Sequence, residues 1–356
     1  RIDFSDDANG ALLLEPTRSN LISNSYLFNS FSFGRSTKTL ESGINPDGTT
    51  DVVLMSATSG TTGTHRAYSN EVSVVNETTY TISLFVKKGT SSKIQFNLLS
   101  TGEGGIGFAA SIFDFNNKTI TNGSFEEFND DWYHLKSTGT VNTTTSGARM
   151  FLYVYDENGD RSFSANGTEN VNLYGVQVEQ GSYATSYIPT QGTAQTRAAD
   201  SCSKDSVSAL IGQSEGTMFV NYNQEIINQY TTRRIITLTD GSPNNRIVLY
   251  ITSNNKIEYY IRNSSGNLFV GQSSVEYGNS VGNHKIAAAY KDGDYVVYMD
   301  GNLIISGAGT SGTIPACDRV DIGSQLGGND LFEPINDVRI YKTRLLNSEL
   351  ETLTTI

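Results

Sequence analysis

An alternating run of aromatic residues is the feature of this sequence best suited to binding chemistry. Phe151, Tyr153 and Tyr155 recur at every second position, and Trp132 and Tyr133 lie a short distance before them. Side chains two residues apart in a strand point to the same face of a sheet. Exposed aromatic rings stack against the CH faces of sugars, so these five residues are predicted to form a carbohydrate-binding platform. The alternative is that the rings fill the interior of a sandwich, because aromatic residues also dominate protein cores.

Oxygen-bearing side chains in glycine-rich loops suggest a second type of site, for structural calcium. Asp240 precedes Gly241, and Asn329 and Asp330 follow two glycines. Carboxylates and carbonyls on such loops are the ligands that calcium prefers, so Asp240, Asn329 and Asp330 are predicted metal ligands. The alternative for Asp240 is an ordinary Asp-Gly turn, and the residue spacing of an EF-hand does not occur.

Residues for catalysis are not found in any familiar arrangement. The histidines His65, His134 and His284 show no paired spacing typical of zinc ligands, and no Gly-x-Ser-x-Gly motif of a hydrolase occurs. Glycosidases need two placed carboxylates, whereas Glu225 and Glu258 are isolated in the sequence. We therefore expect a protein without enzymatic activity. A polysaccharide-degrading enzyme on a jelly-roll scaffold is the last-ranked hypothesis.

Charge and composition exclude several classes of protein. Lys and Arg number 25 against 37 Asp and Glu, a formal net charge of −12, so nucleic acid is a poor partner because phosphate binding needs cationic side chains. The sequence has no apolar run long enough for membrane insertion. The two cysteines, Cys202 and Cys317, are too few for a disulfide framework, and we expect free thiols buried against strands.

Strands must position the predicted site residues, because apolar and polar residues alternate over most of the chain. Such runs are typical of half-buried strands. The best runs are 80–86, 94–98, 149–155, 170–179, 216–221, 246–252, 256–262, 285–290, 295–299 and 303–305. Asp-Gly pairs at 292–293 and 300–301 predict tight hairpins. The best helix candidate is 345–353, with Asn347 or Ser348 as its N-cap.

The length of 356 residues and the order of these strands predict two domains. Short antiparallel strands separated by turn residues are typical of sandwiches, so the predicted fold class is all-β, with two tandem antiparallel β-sandwich (jelly-roll) domains. We place the first domain at residues 1–190, a short packed linker at 191–200 and the second domain at 201–356. The linker is polar but neither Gly/Ser-rich nor highly charged, which favours a packed segment.

The second half of the chain resembles the laminin-G/concanavalin-A-like sandwich family. The resemblance is carried by residues 283–303 (NHKIAAAYKDGDYVVYMDGNL), 320–324 (VDIGS) and 335–342 (INDVRIYK). The first stretch looks like a strand pair of the family, and the other two look like its closing strands. The resemblance implies a sandwich fold but no particular function, because such folds host lectins, enzymes and structural modules.

The first half resembles a jelly roll of the carbohydrate-binding-module type. Its landmarks are residues 21–22 at the opening, 79–87 as a strand, 132–133 before a strand and 176–179 at the end. Domains of both families often carry structural calcium near a sheet rim, which is consistent with the predicted calcium ligands.

Two phrases resemble bacteriophage tail and fibre proteins. Residues 10–22 (GALLLEPTRSNLI) are similar to an opening of those proteins, and 177–190 (QVEQGSYATSYIPT) followed by 196–200 (TRAAD) are similar to their inter-domain phrase. The resemblance implies a non-catalytic fibre or tail module on the virion exterior that attaches to host cell-surface glycans. Its expected partners are a cell-surface polysaccharide or glycan, other virion proteins, and further copies of the chain in a homotrimer. The alternative is a purely structural virion protein, decorating a capsid or spacing a fibre, without a ligand.

Overall fold

A computed structural model describes residues 2–3, 10–225, 231–324, 331 and 333–356 of the chain. Its regular structure is almost wholly antiparallel β, which confirms the predicted fold class. Within the described residues the strands, in chain order, are β1 (Ile2–Asp3), β2 (Ala11–Leu13), β3 (Arg18–Asn20), β4 (Ser32–Gly34), β5 (Ser36–Glu41), β6 (Val52–Ala57), β7 (Thr62–Tyr68), β8 (Val72–Val74), β9 (Thr79–Lys88), β10 (Lys93–Ser100), β11 (Ser111–Asp114), β12 (Thr119–Thr121), β13 (Ser124–Phe128), β14 (Trp132–Thr140), β15 (Thr145–Val154), β16 (Ser162–Ser164), β17 (Asn170–Gln180), β18 (Gln195–Arg197), β19 (Cys202–Lys204), β20 (Glu215–Gln224), β21 (Arg233–Thr239), β22 (Arg246–Ile251), β23 (Ile257–Asn263), β24 (Gly266–Gln272), β25 (Gly282–Lys291), β26 (Asp294–Met299), β27 (Asn302–Gly307), β28 (Arg319–Ile322) and β29 (Pro334–Tyr341). The same residues contain one α-helix, α1 (Asn347–Thr354), and 3₁₀ turns at Asn129–Asp131 and Tyr277–Asn279. In these ranges no helix has both the length and the apolar character needed to span a membrane.

The chain divides into two compact units. Thr17–Ala198 forms one unit, which we call the inserted domain. The segments on either side of it, Arg1–Pro16 and Ala199–Ile356, form the other unit, which we call the split domain. This division differs from the predicted boundaries, which assigned 1–190 to one domain and 191–200 to a linker.

Strand pairing over long sequence distances sets these boundaries. β2 pairs with β29, with Leu12 opposite Ile335, which places the segment before Pro16 in the split domain. β18 pairs with β3, with Thr196 opposite Ser19, so residues 195–197 of the predicted linker form a strand of the inserted domain. Partners so far apart in the chain leave no trace in local periodicity, which is why the sequence pattern misplaced both boundaries.

Two large antiparallel sheets and the two-stranded β3–β18 sheet form the inserted domain. Sheet I has the strand order β12-β11-β10-β15-β7-β16, with β4 paired to β7 and β8 paired to β15. Sheet II has the order β13-β14-β9-β17-β6-β5. Alternate side chains of both sheets meet in one hydrophobic core, where Ile82, Leu84, Leu98, Met150 and Leu152 are fully buried. Burial of each such side chain stabilises the fold by about 1.5–3 kcal/mol.

Two further antiparallel sheets form the split domain. One has the order β1-β2-β29-β20-β25-β26-β27 and the other has the order β19-β28-β21-β22-β23-β24. Their facing side chains build a second core that includes Ile236, Leu249, Tyr259, Ala288 and Val297. Ile286, Ala288 and Tyr290 of β25 face this core, whereas Ala287 and Ala289 between them face away from it.

The helix α1 covers the outer face of the first of these sheets. Leu350 is buried there against Phe219 and Tyr298. The helix lies close to its predicted position, but the predicted N-caps were wrong. The N-cap is Leu346, whose backbone N–H donates to Glu349 Oε2 at 2.7 Å. The Glu349 side chain thus caps the Leu346 N–H, which has no partner within the helix.

Both cysteines lie in the split domain as free thiols, as expected from the sequence. Cys202 is half-buried, whereas Cys317 is buried. Burial, together with the nearby Asp240 and Asp318 carboxylates, raises the pKa of Cys317 to about 12. Thiol reagents attack the thiolate, so Cys317 should react only when the split domain opens.

His284 makes the stability of the split domain depend on pH. Its ring is 5% exposed, with Nδ1 2.7 Å from Asp300 Oδ2 and Nε2 2.8 Å from the Ser280 carbonyl oxygen. Burial acts to lower the pKa of His284, but the two acceptors outweigh burial and raise it. Because the folded pKa lies above the unfolded value, the stabilisation is complete below about pH 6.5. It is lost as the pH rises through the folded pKa.

We therefore expect the split domain to lose stability as the pH rises above about 6.5. His284→Gln should lose less over the same rise in pH, because glutamine does not titrate. Hydrogen-exchange protection factors of the β25 and β26 amides measure the effect in both proteins. Equal losses in both would show that another group is responsible.

Candidate functional site

Three neighbouring strands of sheet I, β10, β15 and β7, bring polar and aromatic side chains to one outer face. Met150 and Leu152 of β15 point into the core, so the residues that alternate with them, Phe151 and Tyr153, point away from it. The register places Phe151 between Asn97 and Tyr68, and Tyr153 between Gln95 and Arg66. We call this surface the arginine–aromatic face, defined on the strands by Arg66, Tyr68, Gln95, Asn97, Arg149, Phe151, Tyr153 and Tyr155, and at the rim by Glu71, Glu103 and Arg161.

The predicted rings of Phe151 and Tyr153 in β15, and of Tyr155 just after it, lie on this face. They do not form an open platform. Phe151, Tyr153 and Tyr155 are only 1%, 3% and 7% exposed. The rings of Phe151 and Tyr153 are stacked, with centroids 6.1 Å apart and planes 14° apart. The Arg161 guanidinium lies 5.2 Å from the centroid of the Tyr153 ring. Both sequence-based expectations are therefore corrected, because the rings neither fill the core nor lie open: Arg161 lies over Tyr153, and Phe151 packs between the Tyr68 and Tyr153 rings.

Arginine side chains supply the charge of the face and are held in place. The Arg149 guanidinium lies 5.1 Å from the Tyr68 ring centroid and pairs with Glu71 at 2.9 Å. Arg66 pairs with Glu103 at 2.9 Å. A cation–π contact of this type contributes about 0.5–1 kcal/mol at exposed sites. The face thus presents cations whose orientation is already fixed by rings and carboxylates.

Two amide side chains lie between the rings. Gln95 Oε1 accepts hydrogen bonds from the Tyr155 hydroxyl at 3.0 Å and from Arg161 Nη1 at 3.4 Å. Asn97 is 5% exposed, and its Oδ1 has no hydrogen-bond partner among the described residues. A buried polar atom without a partner costs about 1–3 kcal/mol. Asn97 Oδ1 is therefore a buried acceptor beneath the face that the described residues leave unsatisfied.

Tyrosine hydroxyls add donors to the face. The Tyr153 hydroxyl donates to Glu103 Oε2 at 3.2 Å. Burial and then the Glu103 charge raise the pKa of Tyr153 to about 12, and burial also raises the pKa of Tyr155. Both hydroxyls therefore stay protonated at neutral pH. Together with the guanidinium groups they can donate to oxygens, while the amides can accept from hydroxyls.

Trp132 and Tyr133 do not join this face, and the prediction that they do is wrong. They lie on β14 of sheet II and point to opposite sides of it. Trp132 is 1% exposed and its Nε1 donates to the Ile44 carbonyl oxygen at 3.1 Å. Tyr133 lies in the core, 4.9 Å from the Phe113 ring centroid. β14 belongs to sheet II because it pairs with β13 and β9. Sequence periodicity does not reveal which strands pair.

The predicted calcium ligands are only partly within the described residues. Asp240 Oδ1 accepts from the Ser242 N–H at 2.9 Å, and Oδ2 accepts from Asn245 Nδ2 at 2.7 Å. Burial acts to raise the pKa of Asp240, but these hydrogen bonds outweigh it and lower the pKa. Both oxygens thus serve the turn, and Asp240 alone does not fit a calcium site. Asn329 and Asp330 lie outside the described residues, so the calcium hypothesis stays a prediction.

Acidic, cysteine and histidine side chains form no group of three or more that could hold a metal ion within the part of the chain that the structure describes.

Sequence reasoning missed most of the arginine–aromatic face. The missed residues are Arg66, Tyr68, Gln95, Asn97, Arg149, Arg161, Glu71 and Glu103. A signal was present, because Arg66 and Tyr68 stand two apart in one strand, as Gln95 and Asn97 do in another. This signal identifies a site only if β7, β10 and β15 are known to be neighbours, and a single sequence does not show that.

Comparison with known proteins gives only weak likenesses. No protein-family model and no curated protein matches the chain. The CBM40 module of Ruminococcus gnavus IT-sialidase is 15% identical over 43% of this chain and 98% of that chain, with a TM-score of 0.36. The SAP-like pentraxin of Limulus polyphemus is 18% identical over 40% of this chain and 70% of that chain, with a TM-score of 0.31. Domains LG4-5 of the mouse laminin alpha1 chain are 11% identical over 93% of this chain and 89% of that chain, with a TM-score of 0.31. Likenesses this weak carry no argument about ligand or activity, so function must be argued from the face itself.

Proposed function

We propose that the inserted domain binds a host cell-surface glycan through the arginine–aromatic face, and that the chain is a non-catalytic attachment module of a phage fibre or tail. The observation that carries the proposal is the composition of the face. Fixed guanidinium groups, a tyrosine hydroxyl, the half-buried Tyr68 ring and two amide side chains occur together on three adjacent strands. Sugars present CH faces and hydroxyls, which this set of groups recognises.

The placement of these groups on strands favours binding over a chance cluster of surface side chains. Arg66 and Arg149 are each held by a carboxylate, and Tyr153 is held by Glu103. Groups that are already fixed lose little conformational entropy when a ligand arrives. A shallow glycan contact can therefore have useful affinity without a deep pocket.

The phage assignment is supported by the phrases at 10–22, 177–190 and 196–200, which resemble those of tail and fibre proteins. A module on the virion exterior acts in several copies. A homotrimer would strengthen weak glycan contacts through avidity, because the second and third contacts become intramolecular.

Removing exposed parts of the face should reduce binding without unfolding the domain. We expect the double variant Tyr68→Ala/Arg161→Ala to bind host cells or arrayed glycans at least about tenfold more weakly than the unchanged chain, a loss of about 1.4 kcal/mol. Saturable binding on a glycan array and on whole cells measures the effect. Parallel assays with calcium and with a chelator test the calcium hypothesis.

Lys118→Ala is the matched control for this experiment. Lys118 is also a cation near an aromatic ring, 5.8 Å from the Tyr133 centroid, but it lies outside the face. Its removal should leave binding unchanged. Equal loss in the control and the double variant would point to nonspecific charge attraction and would contradict the proposal.

A purely structural virion protein is the second candidate, and the burial of the rings favours it. Phe151 and Tyr153 are covered in this structure, as rings that only stabilise a sheet surface would be. Absence of binding to every glycan and cell type, in an assay where a known phage fibre binds, would support this candidate over attachment.

A further inference from the structure

We infer that the glycan bound by the arginine–aromatic face is acidic and that its carboxylate takes the place of the Glu103 carboxylate. The inference rests on the proposed function and specifies its ligand class. Glu103 then acts as an internal stand-in that occupies the carboxylate position until a glycan displaces it.

The position of Glu103 defines a site for a carboxylate. Arg66 Nη1 lies 2.9 Å from Glu103 Oε1, and the Tyr153 hydroxyl lies 3.2 Å from Glu103 Oε2. Arg66 and Tyr153 are direct cross-strand partners of β7 and β15. Two donors from the rigid sheet thus converge on the two oxygens of one carboxylate. A charge-assisted pair of this kind is geometrically specific for carboxylate ligands.

Glu103 itself comes from a different kind of element. It lies in the loop between β10 and β11, is exposed, and has a φ of 61°, which is unfavourable for a residue other than glycine. The turn itself is held by hydrogen bonds, with the Glu103 N–H donating to the Ser100 carbonyl oxygen at 2.9 Å. The donors are therefore fixed by the sheet, whereas the carboxylate is at the end of an exposed side chain that can rotate away.

Two buried polar atoms near the Arg66–Tyr153 pair are left without partners by the described residues. Among the described residues, Arg66 Nε and Asn97 Oδ1 have no hydrogen-bond partner. Asn97 is 5% exposed and lies on the same face, one row from Tyr153. Both atoms have almost no accessible surface, so the hydroxyls of a sugar acid reach them only if neighbouring side chains move.

The charge of the face also favours an acidic ligand. Arg66, Arg149 and Arg161 place three positive charges there, against the two negative charges of Glu71 and Glu103. Exchange of Glu103 for a glycan carboxylate leaves the pairing of Arg66 intact, so no guanidinium is left unpaired during binding. The chain as a whole has a net charge of −12, so this cationic face is a local exception and not a general property of the surface.

The test compares acidic polysaccharides with their neutralised forms. The probes are hyaluronan, polysialic acid and polygalacturonate, each before and after reduction of its carboxyl groups to hydroxyls, with dextran and mannan as neutral glycans. We expect the full chain to bind at least one acidic probe and to lose at least about tenfold in affinity when its carboxyl groups are reduced.

Glu103→Gln tests the stand-in role directly. Glutamine keeps the size of the side chain but removes the competing charge, so affinity for the acidic probe should rise by about threefold to tenfold. Binding of reduced probes should not change. Arg66→Ala should abolish the preference for the acidic form, with Trp132 fluorescence used to confirm that the inserted domain remains folded.

Glu127→Gln is the matched control, because Glu127 is an exposed glutamate paired with Lys118 at 2.8 Å outside the face. It should not alter affinity. Binding of neutral glycans alone, or a Glu103→Gln variant that binds acidic probes no better, would overturn this inference while leaving glycan attachment standing. Binding of no glycan at all would overturn both proposals.

Discussion

Replacement of Asn20 by leucine is expected to destabilise the inserted domain by about 3–5 kcal/mol. Asn20 Nδ2 donates to the carbonyl oxygens of Val176 at 3.1 Å and Ile188 at 3.0 Å. Its Oδ1 accepts from the N–H groups of Ile22 at 3.1 Å and Val178 at 3.2 Å. Asn20 is fully buried, so leucine would leave these backbone groups unpaired, and each such group costs about 1–3 kcal/mol.

The single tryptophan makes this effect measurable in one domain. Trp132 belongs to the inserted domain and is 1% exposed, so its fluorescence reports the unfolding of that domain. We expect the denaturant midpoint to fall sharply for Asn20→Leu with little change in slope. The control Asn142→Leu, at an exposed position, should shift stability by less than about 0.5 kcal/mol. A midpoint equal to that of the unchanged chain would show that the four hydrogen bonds contribute little.

The contacts of Asn20 also give a structural role to the segments at 10–22 and 177–190. Asn20 belongs to the phrase at 10–22, and it binds backbone groups in or beside the phrase at 177–190. In the split domain, Asp200 Oδ2 accepts from the Glu15 N–H at 3.0 Å, which ties the first phrase to the segment at 196–200. The phrases therefore fix where the chain enters and leaves a domain. They are informative about architecture, and the ligand must be argued from other residues.

Local periodicity predicted the strands well because each strand alternates between a core and an outer face. The predicted runs 80–86 and 94–98 lie within β9 and β10, and the separation of Met150 from Phe151 by face was confirmed. What periodicity cannot supply is which strands are neighbours. The site depends on β7, β10 and β15 being adjacent, so its partners could not be assembled from one sequence.

The covering of the rings is a second feature that the sequence could not reveal. Arg161 precedes β16, yet its guanidinium lies over Tyr153, and Glu103 reaches the same ring's hydroxyl from another loop. Loop side chains take positions that no periodic pattern records. The prediction of an aromatic stripe was therefore sound for the strand, but the chemistry of the face comes from the loops that cover it.

Gly212→Ala is expected to destabilise the split domain by about 3 kcal/mol, at the upper end of the cost of overpacking. A Cβ atom at position 212 would overlap the backbone carbonyl oxygens of Glu215 and Lys342. Backbone atoms held in a sheet cannot move aside as the end of a flexible side chain can. The Gly212 carbonyl oxygen also accepts from the buried Tyr290 hydroxyl at 2.8 Å, so the turn cannot shift without breaking a contact with the core.

Labelling of the Cys317 thiol can detect this change, because Gln213, the residue after Gly212, is hydrogen-bonded to the Cys317 backbone. Gln213 Nε2 donates to the Cys317 carbonyl oxygen at 2.9 Å, and the Cys317 N–H donates to Gln213 Oε1 at 3.1 Å. In a Cys202→Ser background, labelling of the buried Cys317 thiol in increasing denaturant should begin at a lower concentration for Gly212→Ala. Gly102→Ala, where a Cβ atom meets nothing within 4 Å, should label like the unchanged chain. If Gly212→Ala also labelled like the unchanged chain, the turn would have room to relax, and close backbone approach would not be the reason for glycine at this position.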